Sequence, residues 1–194
     1  WVSRLTVTTS VCTWFLLCAG ALVTGTGSGL AVPDWPLSYG QFFPPMVGGV
    51  LYEHGHRLVA GFVALLTVIQ SFVLWKYEPR GWVRKLGFVS VGIVLFQASL
   101  GGITVLFLLP KSISIFHACL AQIFFCTTVV LAMVTTESWK LPIRMSDSKA
   151  PGALRFIALA TSFILFVQLL MGATMRHFGA GLAIPDFPLS FGRW

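Results

Sequence analysis

The sequence predicts an all-α membrane protein: a four-helix transmembrane bundle followed by the first helix of a second, pseudo-symmetric bundle. Three observations predict it. Hydrophobic residues make up 56% of the 194 and charged residues 10%, whereas a soluble domain carries roughly 25% charged residues. The apolar stretches are continuous rather than alternating, which selects spanning helices, and the mean hydropathy is +0.86. One loop segment also recurs near the end of the chain, after a fifth apolar run.

The spans come in order at about 4–25, 52–75, 86–109, 113–135 and 154–175, each close to the ~20 residues that cross a bilayer. The first, from Leu5 to Val23, is long enough to span and does not look like a cleavable signal. Cys12, Cys18, Cys119 and Cys126 all fall within spans without metal-site spacing, and read as small buried hydrophobes. Basic residues orient the helices. Arg4, Lys76, Arg80, Arg84, Lys85, Lys140, Arg144, Lys149 and Arg155 collect on one side, against Arg57, Lys111, Arg176 and Arg193 on the other. The positive-inside rule makes the first side cytoplasmic, so the net charge of +7 reflects topology and implies no nucleic-acid partner. Trp75, Trp82 and Trp139 mark the inner interface. The long loop 26–51 and the tail after the fifth span face outward.

Residues 27–40, Gly-Ser-Gly-Leu-Ala-Val-Pro-Asp-Trp-Pro-Leu-Ser-Tyr-Gly, recur at 179–192 as Gly-Ala-Gly-Leu-Ala-Ile-Pro-Asp-Phe-Pro-Leu-Ser-Phe-Gly. A shorter echo pairs Gln97 and Gly101 with Gln168 and Gly172. The expected organisation is a four-helix bundle over 1–138, a cytoplasmic-side linker over 139–153, and the first helix and outer loop of an incomplete second bundle over 154–194. The chain starts at Trp1 rather than Met and breaks off within its second repeat, so a fragment is the expectation.

The second span opens with Glu53-His54-Gly55-His56-Arg57. Ionisable groups at that depth are costly unless paired or used. On a helix Glu53, His56 and Arg57 share a face, at i, i+3 and i+4, while His54 points away. His117 lies about five residues into the fourth span, as His56 does in the second. Both imidazoles therefore sit roughly 7 Å below the outer helix ends at 1.5 Å per residue. Two histidines at matched depth on facing helices can clamp a flat macrocycle through its iron. A di-iron centre needs more carboxylates than Glu53 alone, and zinc needs a third protein ligand. Heme is the economical choice, although each imidazole could instead bond a carbonyl or hydroxyl. Gly20, Gly25, Gly101 and Gly102 either make room for such a ligand or serve close helix packing. Arg57, Lys111 and Arg176 are candidate propionate contacts, with interfacial snorkelling the alternative for the last two. Glu53 pairs with Arg57 at i+4 and is placed to move protons. His54 and His177 have no deducible role.

These motifs resemble heme A synthase. The Glu-x-x-His-Arg of residues 53–57 and the Gly-x-Gly-Leu-x-x-Pro-Asp-Trp-Pro-Leu loop of residues 27–37 both read as signatures of that membrane enzyme of cytochrome oxidase assembly. The resemblance extends over the whole chain. It implies two pseudo-symmetric four-helix bundles, with heme O bound as substrate near His56 and His117 and its C8 methyl group oxidised to a formyl. Glu53 would be the catalytic carboxylate, and a heme b is expected in the C-terminal bundle. That bundle's histidine-bearing helices are absent here, and Val32 and Ser38 stand where some relatives carry a loop cysteine pair. The implied setting is the bacterial inner membrane, with the heme site toward the outer face. The implied partners are the bilayer, heme O, heme O synthase, an electron donor and further copies. A bis-histidine heme protein that only transfers electrons or carries heme is the alternative. A transporter is disfavoured, because no span carries a charge at its midplane.

Overall fold

The computed structural model describes residues 1–140, 152–181, 183–186 and 188–193. The helices are α1 (Val2–Gly25), α2 (Gly49–Tyr77), α3 (Gly81–Leu106), α4 (Lys111–Thr135), the short α5 (Glu137–Lys140) and α6 (Gly152–His177). The five long helices have 24–29 residues, about 36–43 Å at 1.5 Å per residue, more than the ~30 Å of a hydrocarbon core. The chain is an integral membrane protein.

Three boundaries differ most from the hydropathy reading. α2 starts at Gly49, so Glu53 occupies its second turn rather than its first. α3 begins at Gly81 and includes basic residues expected in a loop. Hydropathy reports immersion, whereas backbone hydrogen bonding carries a helix beyond the hydrocarbon. α3 then stops early because Leu108 and Leu109 turn to φ of 57° and 60°, with Leu109 N–H donating to the Thr104 carbonyl at 2.7 Å. Leu109 packs against Gly29, so the strained turn is held against the first loop.

Helices α1 to α4 form a closed ring, each packed on its two neighbours, which sets α2 and α4 across the diagonal. α6 leans on α4 and buries none of its residues. The bundle interior is unusually polar, with Thr6, Thr9, Thr13, Thr67, Gln70, Ser90 and Thr128 buried, while Phe15, Phe62, Phe72 and Phe163 face outward. Lipid is as apolar as leucine, so spanning helices gain by close approach of small residues and by hydrogen bonds. Thr6 and Thr135 share one at 2.7 Å between α1 and α4. Two apolar clusters complete the core: Leu74, Val83, Leu131 and Val134 toward the basic end, and Val63, Val94 and Phe124 higher up. Arg80 closes the basic end, pairing with Glu78 at 2.6 Å and donating to the Val134 carbonyl at 2.7 Å. All four cysteines are free. Cys119 is buried as expected, but Cys18 and Cys126 face outward, since their helix faces point away from the ring.

The sequence repeat is also a structural repeat. Asp34 accepts from the amides of Tyr39 and Gly40 at 2.7 and 2.8 Å, and Asp186 from those of Phe191 and Gly192 at 2.8 and 2.7 Å. Ser38 bridges to Gln41 as Ser190 does to Arg193. Tyr39 and Phe191 share a φ of 53°, an αL conformation that the neighbouring Asp cap stabilises. Leu182 and Phe187 of the second copy lie outside the described residues, as do Arg144, Lys149 and most of the expected linker 139–153.

Candidate functional site

The site is assembled from the first three turns of α2, the loop between α1 and α2, and facing positions of α1, α3 and α4. Glu53 is buried. Its Oε2 accepts from the Val32 amide at 2.8 Å and its Oε1 from Arg57 Nη2 at 2.6 Å. Arg57 reaches back under the loop: Nη1 donates to the carbonyls of Asp34 and Leu37 at 2.7 and 2.9 Å, and Nη2 to that of Val32 at 3.3 Å. Inward-pointing loop carbonyls thus find a donor, as buried backbone groups must. The Glu53–Arg57 pair expected from i+4 spacing is present, but the guanidinium is occupied by the loop rather than offered to a ligand.

His54 acquires a role that spacing did not suggest. Its Nδ1 hydrogen-bonds the fully buried Ser38 Oγ at 2.7 Å, so it pins the far end of the same loop. Trp35 anchors that loop to α3, its indole lying where a Cβ on Gly102 would come within 2.7 Å. Tyr39 closes the loop on itself through its hydroxyl, which donates to the Ala31 carbonyl at 2.5 Å. Asp34 lies outside the helices, and the Gly40 amide, followed by that of Tyr39, holds its carboxyl below the ordinary 3.8. The Pro-Asp-Trp-Pro-Leu-Ser stretch is therefore a cover, fastened by side chains of α2 and by a glycine of α3.

Beneath the cover lie the two imidazoles. His56 is seven residues into α2 and His117 six into α4, a depth difference of about 1.5 Å. They lie within electrostatic reach of each other. Each rests on a glycine: a Cβ at Gly20 of α1 would meet His56 Cε1 at 3.1 Å, and one at Gly101 of α3 would meet His117 Cε1 at 3.4 Å. These glycines make room for the imidazoles themselves. Gln97 Nε2 donates to the His117 carbonyl at 2.8 Å, so both members of the Gln97–Gly101 echo converge on His117. The Nδ1 atoms of His56 and His117 are buried and make no close hydrogen bond, although the backbone carbonyls of Leu16 and Gln97 lie against the two rings. Among the described residues, no three His, Cys, Asp or Glu side chains gather as a lone metal ion would need. Two cradled imidazoles on diagonal helices fit a heme, which takes its remaining ligands from its own ring.

Lys111 and Arg176 meet the same end of the bundle. Lys111 Nζ stacks over Phe178 at 4.6 Å, and Arg176 Nη2 lies 3.9 Å from where a Cβ on Gly25 of α1 would be. His177 sits close enough to His117 to interact electrostatically. Sequence reasoning missed Val32, Ser38 and Trp35 as site residues. The signals available for them were their place in the repeated loop and, for Trp35, in the motif of residues 27–37.

Residues 47–194 match the family described as cytochrome oxidase assembly protein, COX15-CtaA. The chain belongs to this family. Curated relatives named heme A synthase extend the similarity across the site. The chain is 33% identical to that of Shouchella clausii strain KSM-K16, an alignment covering 100% of this chain and 65% of the relative. Against the Bacillus licheniformis protein it is 30% identical, over 94% of this chain and 61% of the relative. Against that of Geobacillus kaustophilus it is 29% identical, over 93% and 58%. The chain thus spans about three-fifths of the length of these relatives. The COX15-CtaA match starts at residue 47 and so takes in all of Glu53, His56, Arg57, Lys111, His117 and Arg176.

Proposed function

We propose that this chain is the substrate-binding part of a heme A synthase, an oxidoreductase that converts heme O to heme A by oxidising the C8 methyl group to a formyl for cytochrome oxidase assembly. The carrying observation is the pair of imidazoles, each cradled on a glycine, at matched depth beside the Glu53–Arg57 pair. In this reading His56 and His117 are the axial ligands of heme O. Their neighbouring glycines let the rings approach the bundle axis, and Gln97 fixes the backbone of His117. In the same reading Lys111 and Arg176, at the same end of the bundle, are the propionate contacts. Arg57 would reach one only by releasing a loop carbonyl.

Oxidising a methyl group to a formyl exchanges two hydrogens for one oxygen; with dioxygen and electrons from a donor as the balancing reactants, protons move at each step. Glu53 is the carboxylate at hand to pass them on, and Arg57 and the Val32 amide hold it in one orientation. The loop cover excludes water and fixes which edge of the substrate meets Glu53. The relatives' extra length would accommodate the rest of a second bundle with its heme b. Their bacterial sources favour the inner membrane, with the heme site toward the outer face. Heme O synthase and an electron donor are the partners this reading requires, and further copies remain candidates.

A second reading has one observation in its favour. Glu53 is satisfied by Arg57 and Val32, as a purely structural acid would be, which suits a bis-histidine heme protein that only carries heme or electrons. One experiment separates the two. The full-length protein is supplied with heme O and the extracted hemes are chromatographed, for the wild type and for Glu53→Gln. The synthase reading expects heme A from the wild type and bound but unconverted heme O in the variant. Intact, heme-loaded wild-type protein that yields no heme A refutes it.

A further inference from the structure

A groove between α2 and α3 lies at the opposite, basic end of the bundle, away from the heme site. Its mouth is lined by Phe72, Trp75, Lys76 and Arg84, with a volume of about 460 Å³. It continues along the helices past Ser71, Phe88 and Val91 with a further 390 Å³ or so. The two parts share Phe72 and Trp75, so they form one continuous channel on the lipid-facing surface. Its lower part is apolar and its mouth carries two cations. Among the described residues neither Lys76 nor Arg84 forms an ion pair, whereas the neighbouring Arg80 is paired with Glu78. Ser71 lines the groove wall with its Oγ turned away, buried against Gly87 of α3.

We propose that this groove is a binding site for one anionic phospholipid of the inner leaflet. Lys76 and Arg84 hold the phosphate, and Trp75 lies at the headgroup boundary. An acyl chain lies along Phe72, Phe88 and Val91. The spacing suits that assignment, because the groove lining runs from Lys76 to Val68, eight residues deeper on α2 and roughly 12 Å along the axis. Basic pockets between spanning helices on the cytoplasmic side recognise anionic headgroups through such an arrangement, and the aromatic ring supplies the interfacial anchor. A zwitterionic lipid carries a compensating ammonium and gains less from the paired cations.

The test uses the full-length, heme-loaded protein in phosphatidylcholine vesicles containing a minor share of brominated phosphatidylglycerol, with brominated phosphatidylcholine as the comparison. Quenching of tryptophan fluorescence reports relative affinity. Wild-type protein is expected to prefer phosphatidylglycerol by about thirtyfold, from two cations near the surface. The preference should fall close to one in the Lys76→Gln, Arg84→Gln double variant. It should survive in Arg4→Gln, Lys85→Gln, which removes the same charge from the same end outside the groove. Trp75→Phe should remove the tightly quenched component. An absent wild-type preference overturns the proposal. So does an equal loss in the Arg4, Lys85 control, or a tight component that persists without Trp75.

Discussion

Replacing Arg57 by leucine tests whether this guanidinium holds the loop cover or merely borders it. Arg57 and Glu53 are 15% and 5% exposed in their side chains and lie 2.6 Å apart, so solvent screens the pair weakly. The substitution strands a buried carboxylate and removes the donor from the Asp34, Leu37 and Val32 carbonyls. Breaking a buried ion pair from one side costs about 3–5 kcal/mol, most of it the unpaired charge. Glu53→Gln alone should cost less, about 1–3 kcal/mol. A glutamine amide cannot accept from both Val32 and Arg57, so one donor is left unmatched. The double variant carries no stranded carboxylate and should fall short of the sum of the singles by about 2 kcal/mol, a coupling readable from a double-mutant cycle. Thermal unfolding of the detergent-solubilised protein supplies the stabilities, and limited proteolysis within 32–41 reports the cover. If Arg57→Leu leaves stability within about 0.5 kcal/mol of wild type and the loop still protected, the cover is held by something else and the reasoning fails.

Two glycines offer size tests. Gly20→Ala should push His56 by a few tenths of an ångström and weaken heme retention, and Gly20→Leu should abolish it, as read by the optical spectrum of the purified protein; full heme content in the leucine variant would sink this role. Gly102→Ala places a methyl at 2.7–3.0 Å from three indole atoms of Trp35, so it should cost about 1–3 kcal/mol by overpacking and expose the loop to protease before the helices. Acid should open the Asp34 turn. The Gly40 and Tyr39 amides depress this carboxyl below 3.8; the turn's stabilisation is therefore complete above that value and lost as pH falls through the lower folded-state value. Hydrogen exchange at Tyr39 and Gly40 should accelerate only in that acid window, and Asp34→Asn should remove the transition; a transition centred near neutral pH would contradict the assignment.

Much of this architecture is visible in the residues alone. A run of about 20 apolar residues has few options in a bilayer, because every backbone group must be satisfied within the helix. The five spans follow, and counting residues from the ends of two of them already puts His56 and His117 at one depth. The Glu53–Arg57 pair is equally legible, since i+4 partners meet on any helix. The repeated loop declares itself by identity at a distance of 152 residues (186 − 34 for its aspartates).

What lies beneath that loop was decided by the tertiary structure. Neither hydropathy nor helical periodicity describes the path of an irregular segment. Nothing local could therefore say that Arg57 would take up the carbonyls of Asp34 and Leu37, or that His54 would meet Ser38. The glycines show the same division. Their positions on α1 and α3 are written in the chain, but whether each faces an imidazole, an indole or lipid depends on how four helices rotate against one another. That rotation is set by packing summed over the whole bundle, and no single stretch of sequence contains it.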